Sequence, residues 1–162
     1  MMTISIIIPV LNEAACVGNL LEVLARAPKM VVAEIIVVDG GSTDGTKEVV
    51  QGFREVICLE SRVQSRAAQM NLGASAAKGE ILYFVHADTL PPELFYEYIL
   101  EAVQDGIGLG CFRYRFRSAA LILRCNAWFT RFKWLWCQGG DKTLFVERNI
   151  FEQLGGYDEY YT

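Results

Sequence analysis

No uninterrupted apolar run in these 162 residues reaches the roughly 18 that a membrane-crossing helix needs. Just over half of the chain is nevertheless hydrophobic (52%), and its mean hydropathy is +0.25. Apolar material in that amount, broken into short pieces, predicts a buried core, and the length predicts one domain. The opening Met1-Met2-Thr3 has no basic stretch and runs straight into an apolar segment, so no secretory leader is read there and a cytoplasmic placement is expected. A net charge of −4 excludes the broad basic footprint of a nucleic-acid binder. The five cysteines (Cys16, Cys58, Cys111, Cys125 and Cys137) are odd in number and contain no Cys-x-x-Cys. That excludes a zinc pattern and a disulfide framework, and leaves small hydrophobic residues in a reducing compartment as the reading. Internal repeats and low-complexity stretches are also missing.

What the chain does have is three apolar segments that end abruptly in polar, carboxylate-bearing residues. They are Ile4 to Val10 followed by Leu11-Asn12-Glu13, Glu34 to Val38 followed by Asp39-Gly40-Gly41-Ser42-Thr43-Asp44-Gly45-Thr46, and Glu80 to Val85 followed by His86-Ala87-Asp88-Thr89. Each is too short for a helix and rich in β-branched residues, which predicts strands buried on both faces, the last of them ending at His86. Between them lie helical patterns: Glu13 to Ala27 with Asn12 as cap and Pro28 as stop, Thr46 to Phe53, the Ala-rich Ser65 to Lys78, and a helix opened by Pro91-Pro92 and running to Val103. With a short strand at Val56 to Leu59, the order is β-α-β-α-β-α-β-α. That order predicts an α/β fold with a doubly wound, mostly parallel sheet and helices on both faces. After Asp105 the pattern predicts a strand from Leu109 to Phe116 with a basic face (Arg113, Arg115, Arg117), an aromatic helix from Ala119 to Trp136, a strand from Thr143 to Val146 and a helix from Arg148 to Leu154.

In a parallel sheet the carboxyl ends of the strands share one edge, where ligands bind. Asp39 ends a buried strand and therefore needs a donor, whereas the glycines after it let backbone approach a ligand. Asn12 and Glu13 read either as helix cap and dipole partner or as site residues. His86 and Asp88, two apart in an extended segment, would face one cation or ribose; the competing reading is a buried histidine and a capping aspartate. Arg62 and Arg66 flank the third connection, where a guanidinium can meet phosphate. Trp128, Phe129, Phe132, Trp134 and Trp136 lie among Arg124, Arg131 and Lys133, and read either as core or as an interfacial segment (128–136) touching a membrane surface or a lipid-linked acceptor.

In this order the segments resemble the family-2 glycosyltransferases, which have the GT-A fold. The resemblance rests on Ser5 to Glu13, Glu34 to Thr46, Arg66-Ala67-Ala68-Gln69-Met70-Asn71-Leu72-Gly73-Ala74, His86-Ala87-Asp88-Thr89, Gly140-Asp141, Phe145-Val146 and Phe151 to Tyr157. His-Ala-Asp-Thr and Gly-Asp look like a bacterial subgroup of transferases associated with radical-SAM and selenium-related domains. The resemblance implies metal-dependent, inverting sugar transfer from a UDP- or GDP-linked donor. Pro9, Asn12, Glu13, Asp39, Arg66 and His86 would line the donor pocket. Asp88 would hold manganese or magnesium, and the imidazole of His86, standing where the family usually has an aspartate, favours manganese. The donor half would be residues 1–89 and the acceptor-side half residues 90–162. The family's acidic pair, which supplies the general base, belongs just past the last residues. Asp141, Asp158 and Glu159 are therefore candidates by proximity alone, and a chain incomplete at its C-terminal end is expected. A non-catalytic nucleotide- or partner-binding remnant is the alternative. A nucleotidyltransferase of the same fold fits less well, because Pro9 to Glu13 offers neither glycine nor lysine.

Overall fold

In the computed structural model, which describes residues 2–112 and 143–160, the first apolar segment forms β1 (Ile4–Val10), and all seven of its residues are buried. Alternate side chains of a strand enter opposite layers, so a strand covered on both faces must be apolar throughout. Ile4, Ile6, Ile8 and Val10 accordingly enter one apolar cluster and Ile7 the other. β2 (Val32–Asp39) and β4 (Ile81–Phe84) pair in parallel with the two edges of β1, and β3 (Val56–Glu60) lies parallel beyond β2. β5 (Leu109–Cys111) and β6 (Leu144–Glu147) complete the order β3-β2-β1-β4-β6-β5, with β6 antiparallel to both of its neighbours.

One layer of helices holds α1 (Val17–Leu24), α2 (Thr46–Gln51) and α4 (Phe95–Gln104). α1 buries Val17, Leu20, Leu21 and Leu24, the one-sided stripe of a 3.6-residue period. The opposite layer holds α3 (Arg66–Ala76), packed through Met70 and Ala74, and α5 (Arg148–Leu154), packed through Ile150 and Phe151. α3 lies close to the sheet because Gly73 has no side chain: a Cβ there would fall 2.5 Å from Ile7 Cγ2 and 3.1 Å from Val38 Cγ2. Arg148 then fastens α5 to the far end of α3, donating from Nε to the Gly79 carbonyl (2.9 Å) and from Nη2 to the same oxygen (2.6 Å).

The observed elements depart from expectation at the starts of α1 and α4 and at the end of β4, and the cysteines depart in their burial. α1 starts at Val17 rather than Glu13, because Asn12 adopts a left-handed φ of 57° and the residues after it bond to a neighbouring loop. α4 starts at Phe95, past Pro91-Pro92; a residue that precedes proline is kept out of the helical region, and the Phe95 N–H instead closes a turn on the Pro92 carbonyl (3.0 Å). β4 ends at Phe84, before His86. Cys16, Cys58 and Cys111 are free thiols, but Cys58 and Cys111 are exposed on the two edge strands and do not fill the core. The remainder of the Leu109 to Phe116 strand, the aromatic segment 128–136, Cys125, Cys137 and Asp141 lie outside the described residues. Among the described residues no helix is long and apolar enough to cross a membrane.

The close seat of α3 gives a test. Alanine improves helix propensity by about 1 kcal/mol over glycine, but overpacking a filled core costs about 1–3 kcal/mol. Gly73→Ala should therefore lower the denaturant midpoint of unfolding; an unchanged or higher midpoint would mean that α3 does not rest on Ile7.

Candidate functional site

The order of the sheet reverses between β1 and β4: the chain moves from β1 outward through β2 to β3, then returns to the other side of β1. A crevice opens at such a reversal, outside the carboxyl ends of the strands. The last register pair between β1 and β4 is Ile7 with Phe84, and the Val85 N–H still reaches the Ile7 carbonyl at 3.0 Å. Pro9 is the next residue of β1 on that side, and there β4 has already turned away. Its missing N–H therefore orphans no partner, which is how a proline survives in a central strand.

Two loops meet at this edge and bond along their length. The Asn12 N–H donates to Ser42 Oγ (2.9 Å), and Asn12 Oδ1 accepts the Thr43 N–H (2.9 Å). The Glu13 N–H donates to Thr46 Oγ1 (2.8 Å), and the Ala14 N–H to Asp44 Oδ2 (3.0 Å). Asn12 is thus no helix cap; its side chain ties the loop after β1 to the loop after β2. The Thr46 N–H and hydroxyl both donate to Asp44 Oδ1, so Asp44 serves both the start of α2 and the neighbouring loop.

Asp39 anchors the second loop. Its carboxylate is 1% exposed and accepts the Gly41 N–H (2.9 Å), the Ser42 N–H (3.0 Å to Oδ2) and the Ser42 hydroxyl. Lys47 Nζ lies 3.6 Å away and bonds Glu60 at 2.8 Å. Burial alone would push this carboxyl up; the bonds from Ser42 and Gly41, aided by Lys47, outweigh it and hold the group below its ordinary value. Ser42 is the joint of a relay, taking a hydrogen bond from Asn12 and giving one to Asp39. From beneath, the buried Gln69 of α3 donates from Nε2 to the carbonyls of Val10 (2.8 Å) and Val38 (2.7 Å), fixing the strand ends on which both loops stand.

Across the crevice stands His86-Ala87-Asp88-Thr89. The Thr89 N–H bonds the His86 carbonyl at 3.0 Å, so the four residues form a tight turn and not an extended strand end. The two-residue alternation expected to aim His86 and Asp88 together therefore does not apply. His86 is half-buried and Asp88 exposed, with Thr89 Oγ1 3.2 Å from Asp88 Oδ1. The charge of Asp88 is felt in the loop after β1: the half-buried Glu13 carboxyl is pushed up first by burial, then by the charges of Asp88 and Asp44, with Arg66 pulling it down. Glu13, Asp44, Asp88 and Arg66 thus share one electrostatic neighbourhood at the rim.

The remaining acidic candidates lie on the α3–α5 side. Asp158 Oδ1 accepts the Tyr160 N–H of its own turn (2.9 Å), and Glu159 Oε1 accepts Asn71 Nδ2 (2.8 Å). Ser42, Lys47 and Gln69 were not singled out in the sequence as site residues. Ser42 lies in a hydroxyl-rich loop, but neither its relay nor the reach of Lys47 across to β3 has a spacing signature. Gln69 had one faint sign: with Asn71 it is one of two amides among the small residues of an Ala-rich helix.

The two-carboxylate rim also bears on a divalent cation. Among the described residues no three His, Cys, Asp or Glu side chains are grouped to hold a metal ion. A single exposed carboxylate, with Glu13 nearby, fits a magnesium- or manganese-type cation that takes most of its ligands from phosphates and water. It does not fit a protein-only metal cage.

A profile of glycosyl transferase family 2 matches residues 5–144. The succinoglycan biosynthesis protein ExoA of Rhizobium meliloti is 31% identical, over 97% of this chain and 53% of its own length. Among solved structures, a mannosyltransferase of Pyrobaculum calidifontis in complex with GDP-mannose and Mn2+ superposes with a TM-score of 0.76 at 21% identity, over 98% of this chain and 48% of that one. Glucosyl-3-phosphoglycerate synthase of Mycobacterium tuberculosis, with Mn2+, UDP and phosphoglyceric acid, gives 0.70 at 19% identity, over 93% of this chain and 57% of that one. The chain thus spans about half the length of these relatives. The sheet order, the helices on both of its faces and these superpositions make the fold GT-A, and the profile match across most of its length places the chain in glycosyl transferase family 2.

Proposed function

We propose that this chain binds the nucleotide-sugar donor, UDP- or GDP-linked, of an inverting glycosyltransferase, across the crevice between Asp39 and Asp88. The observation that carries this reading is the joining of two loops by Asn12, Ser42, Thr46 and Asp44, which brings the strand-end carboxylates onto one rim facing Asp88 and Arg66. Residues 1–89 form the donor half in this reading, and residues 90–162 the acceptor side.

Each role follows from the position of the residue. Asp39, ionised and rigidly held, accepts a base N–H when the Ser42 hydroxyl rotates aside; its backbone partners remain in place. Pro9, Asn12 and Glu13 form the floor under the nucleoside, where the proline and the engaged N–H groups offer a fixed surface. Arg66, at the first position of α3, and the α3 N-terminus face the diphosphate with positive charge. His86 stands beside the ribose. Asp88 holds a divalent cation, manganese in preference to magnesium, which supplies charge neutralisation for the departing diphosphate. An acceptor hydroxyl, deprotonated by a carboxylate of the acceptor side, attacks the anomeric carbon opposite the leaving group. A lipid-linked acceptor, with 128–136 touching a membrane surface, is the form of acceptor suggested by the aromatic composition of that segment. The His86-Ala87-Asp88-Thr89 sequence supports membership in the radical-SAM and selenium-associated subgroup.

Two measurements test the donor site. A hydrogen bond to a charged group contributes about 1.5–3 kcal/mol, so Asp39→Ala should weaken UDP or GDP binding at least tenfold by calorimetry. Equal affinity would remove Asp39 from the pocket. Because Asp88 is the lone well-placed carboxylate on its turn, manganese alone should bind weakly and manganese with UDP or GDP tightly. Asp88→Asn should abolish that gain while leaving the melting temperature unchanged, and magnesium should give a smaller gain than manganese. Nucleotide affinity indifferent to a chelator would contradict the metal assignment.

A further inference from the structure

We propose that Asn71 is a positioning residue that holds the segment after α5 against the donor rim, so that its carboxylates stand beside the bound nucleotide sugar; this rests on the donor reading above. The chain direction makes the geometry specific. β6 runs antiparallel to β4, so α5 starts at the amino edge of the sheet, where the Arg148 N–H bonds the Glu80 carbonyl at 2.8 Å. α5 then returns toward the carboxyl edge, where the crevice lies. It ends in two glycines of left-handed φ, Gly155 at 81° and Gly156 at 78°, whose N–H groups close on the Glu152 and Phe151 carbonyls (3.1 Å each).

At that point Asn71 takes hold of the backbone. Its Oδ1 accepts the Tyr157 N–H (2.9 Å), its Nδ2 donates to the Tyr157 carbonyl (2.9 Å), and the same nitrogen donates to Glu159 Oε1 (2.8 Å). One side chain thus binds both backbone groups of Tyr157 as a neighbouring strand would, and uses both amide hydrogens in doing so. The approach is so close that a Cβ on Gly156 would fall 2.8 Å from Asn71 Oδ1. The Tyr157 ring seats on Phe84, the last residue of β4, with centroids 5.1 Å apart and planes at 89°, and also meets Phe151 at 5.7 Å. Phe84 lies two residues before His86, so the clamped segment stands next to the turn that carries Asp88. The Tyr157 ring packs on the core, but the polar half of the contact lies outside it: Asn71 is only half-buried and Glu159 is exposed. An apolar residue at 71 would serve packing as well, whereas only a planar amide satisfies the Tyr157 N–H, the Tyr157 carbonyl and a carboxylate together.

Asn71→Asp tests this, because it keeps the acceptor for the Tyr157 N–H but loses both donors and sets a carboxylate against Glu159. Gly156→Ala attacks the same contact from the other side. Backbone amide exchange is followed in the full chain and both variants, with and without UDP or GDP plus manganese. In the unmodified chain the Tyr157 amide should be protected, and nucleotide should slow exchange further across 157–160. Both variants should exchange this segment at least tenfold faster, insensitively to nucleotide, while the β1 and β2 amides stay protected and nucleotide affinity falls by no more than the factor by which nucleotide slows exchange in the unmodified chain. Protection of Tyr157 retained in Asn71→Asp would overturn the clamp. Exchange at 157–160 that ignores bound nucleotide in the unmodified chain would reduce the clamp to a structural fastening and overturn its role at the site. Binding of neither nucleotide would instead overturn the donor reading, while the exchange rates of the variants still report on the clamp.

Discussion

A buried carboxylate at the end of a strand sets the terms for the rest of this structure. Asp39 is almost wholly removed from water, and an ion in that position is tolerated only when donors surround it. The loop after β2 supplies them by folding back over its own strand end through Gly41 and Ser42. That folding fixes Ser42, which fixes Asn12, which gives the loop after β1 its left-handed turn and delays α1 by about one turn. A single desolvated charge thereby orders two loops of different strands and lines the crevice they share. In the proposed donor reading Asp39 accepts from a ligand once the Ser42 hydroxyl turns aside, its backbone donors remaining in place.

α3 is the second constraint. It contributes to the rim through Arg66, to the strand ends through Gln69, to the sheet through Gly73 and to the returning chain through Asn71, at positions 66, 69, 73 and 71 of one eleven-residue helix. Gly73 makes the other contacts reachable, because the helix must lie close for an amide at 69 to reach two carbonyls of the sheet. The rim and the returning chain after α5 are then positioned by one rigid element, and a disturbance of its seat would move both.

The centre of the sheet was legible because its strands are buried on both faces: Ile4 to Val10 and Glu34 to Val38 have no alternation to confuse, and their lengths exclude helices. The strand-end aspartates were legible for the same reason, since a charge closing such a run has to be explained. Helix starts were less so. Asn12 has the composition of a cap yet bonds across to another loop, and Asp44 bonds both Thr46 of its own helix and Ala14 of that loop; composition cannot distinguish a local partner from one thirty residues away. The His86 turn was misread as extended because β4 was carried two residues too far. Asn71 was visible only as part of a resemblance; its partners are eighty-six and eighty-eight residues distant, and no spacing rule points to them.

In the proposed donor site the ends of β1, β2 and β4 gather around one nucleotide and a shared cation. Manganese is paramagnetic and broadens the amide signals of nearby residues, so a nuclear magnetic resonance titration with manganese and UDP or GDP maps the site directly. Signals of Glu13, Asp44, Arg66 and Asp88 should vanish first and together, and only when nucleotide is present, while those of α5 before Gly155 persist. Broadening centred elsewhere, or equal broadening by manganese with and without nucleotide, would contradict the donor reading.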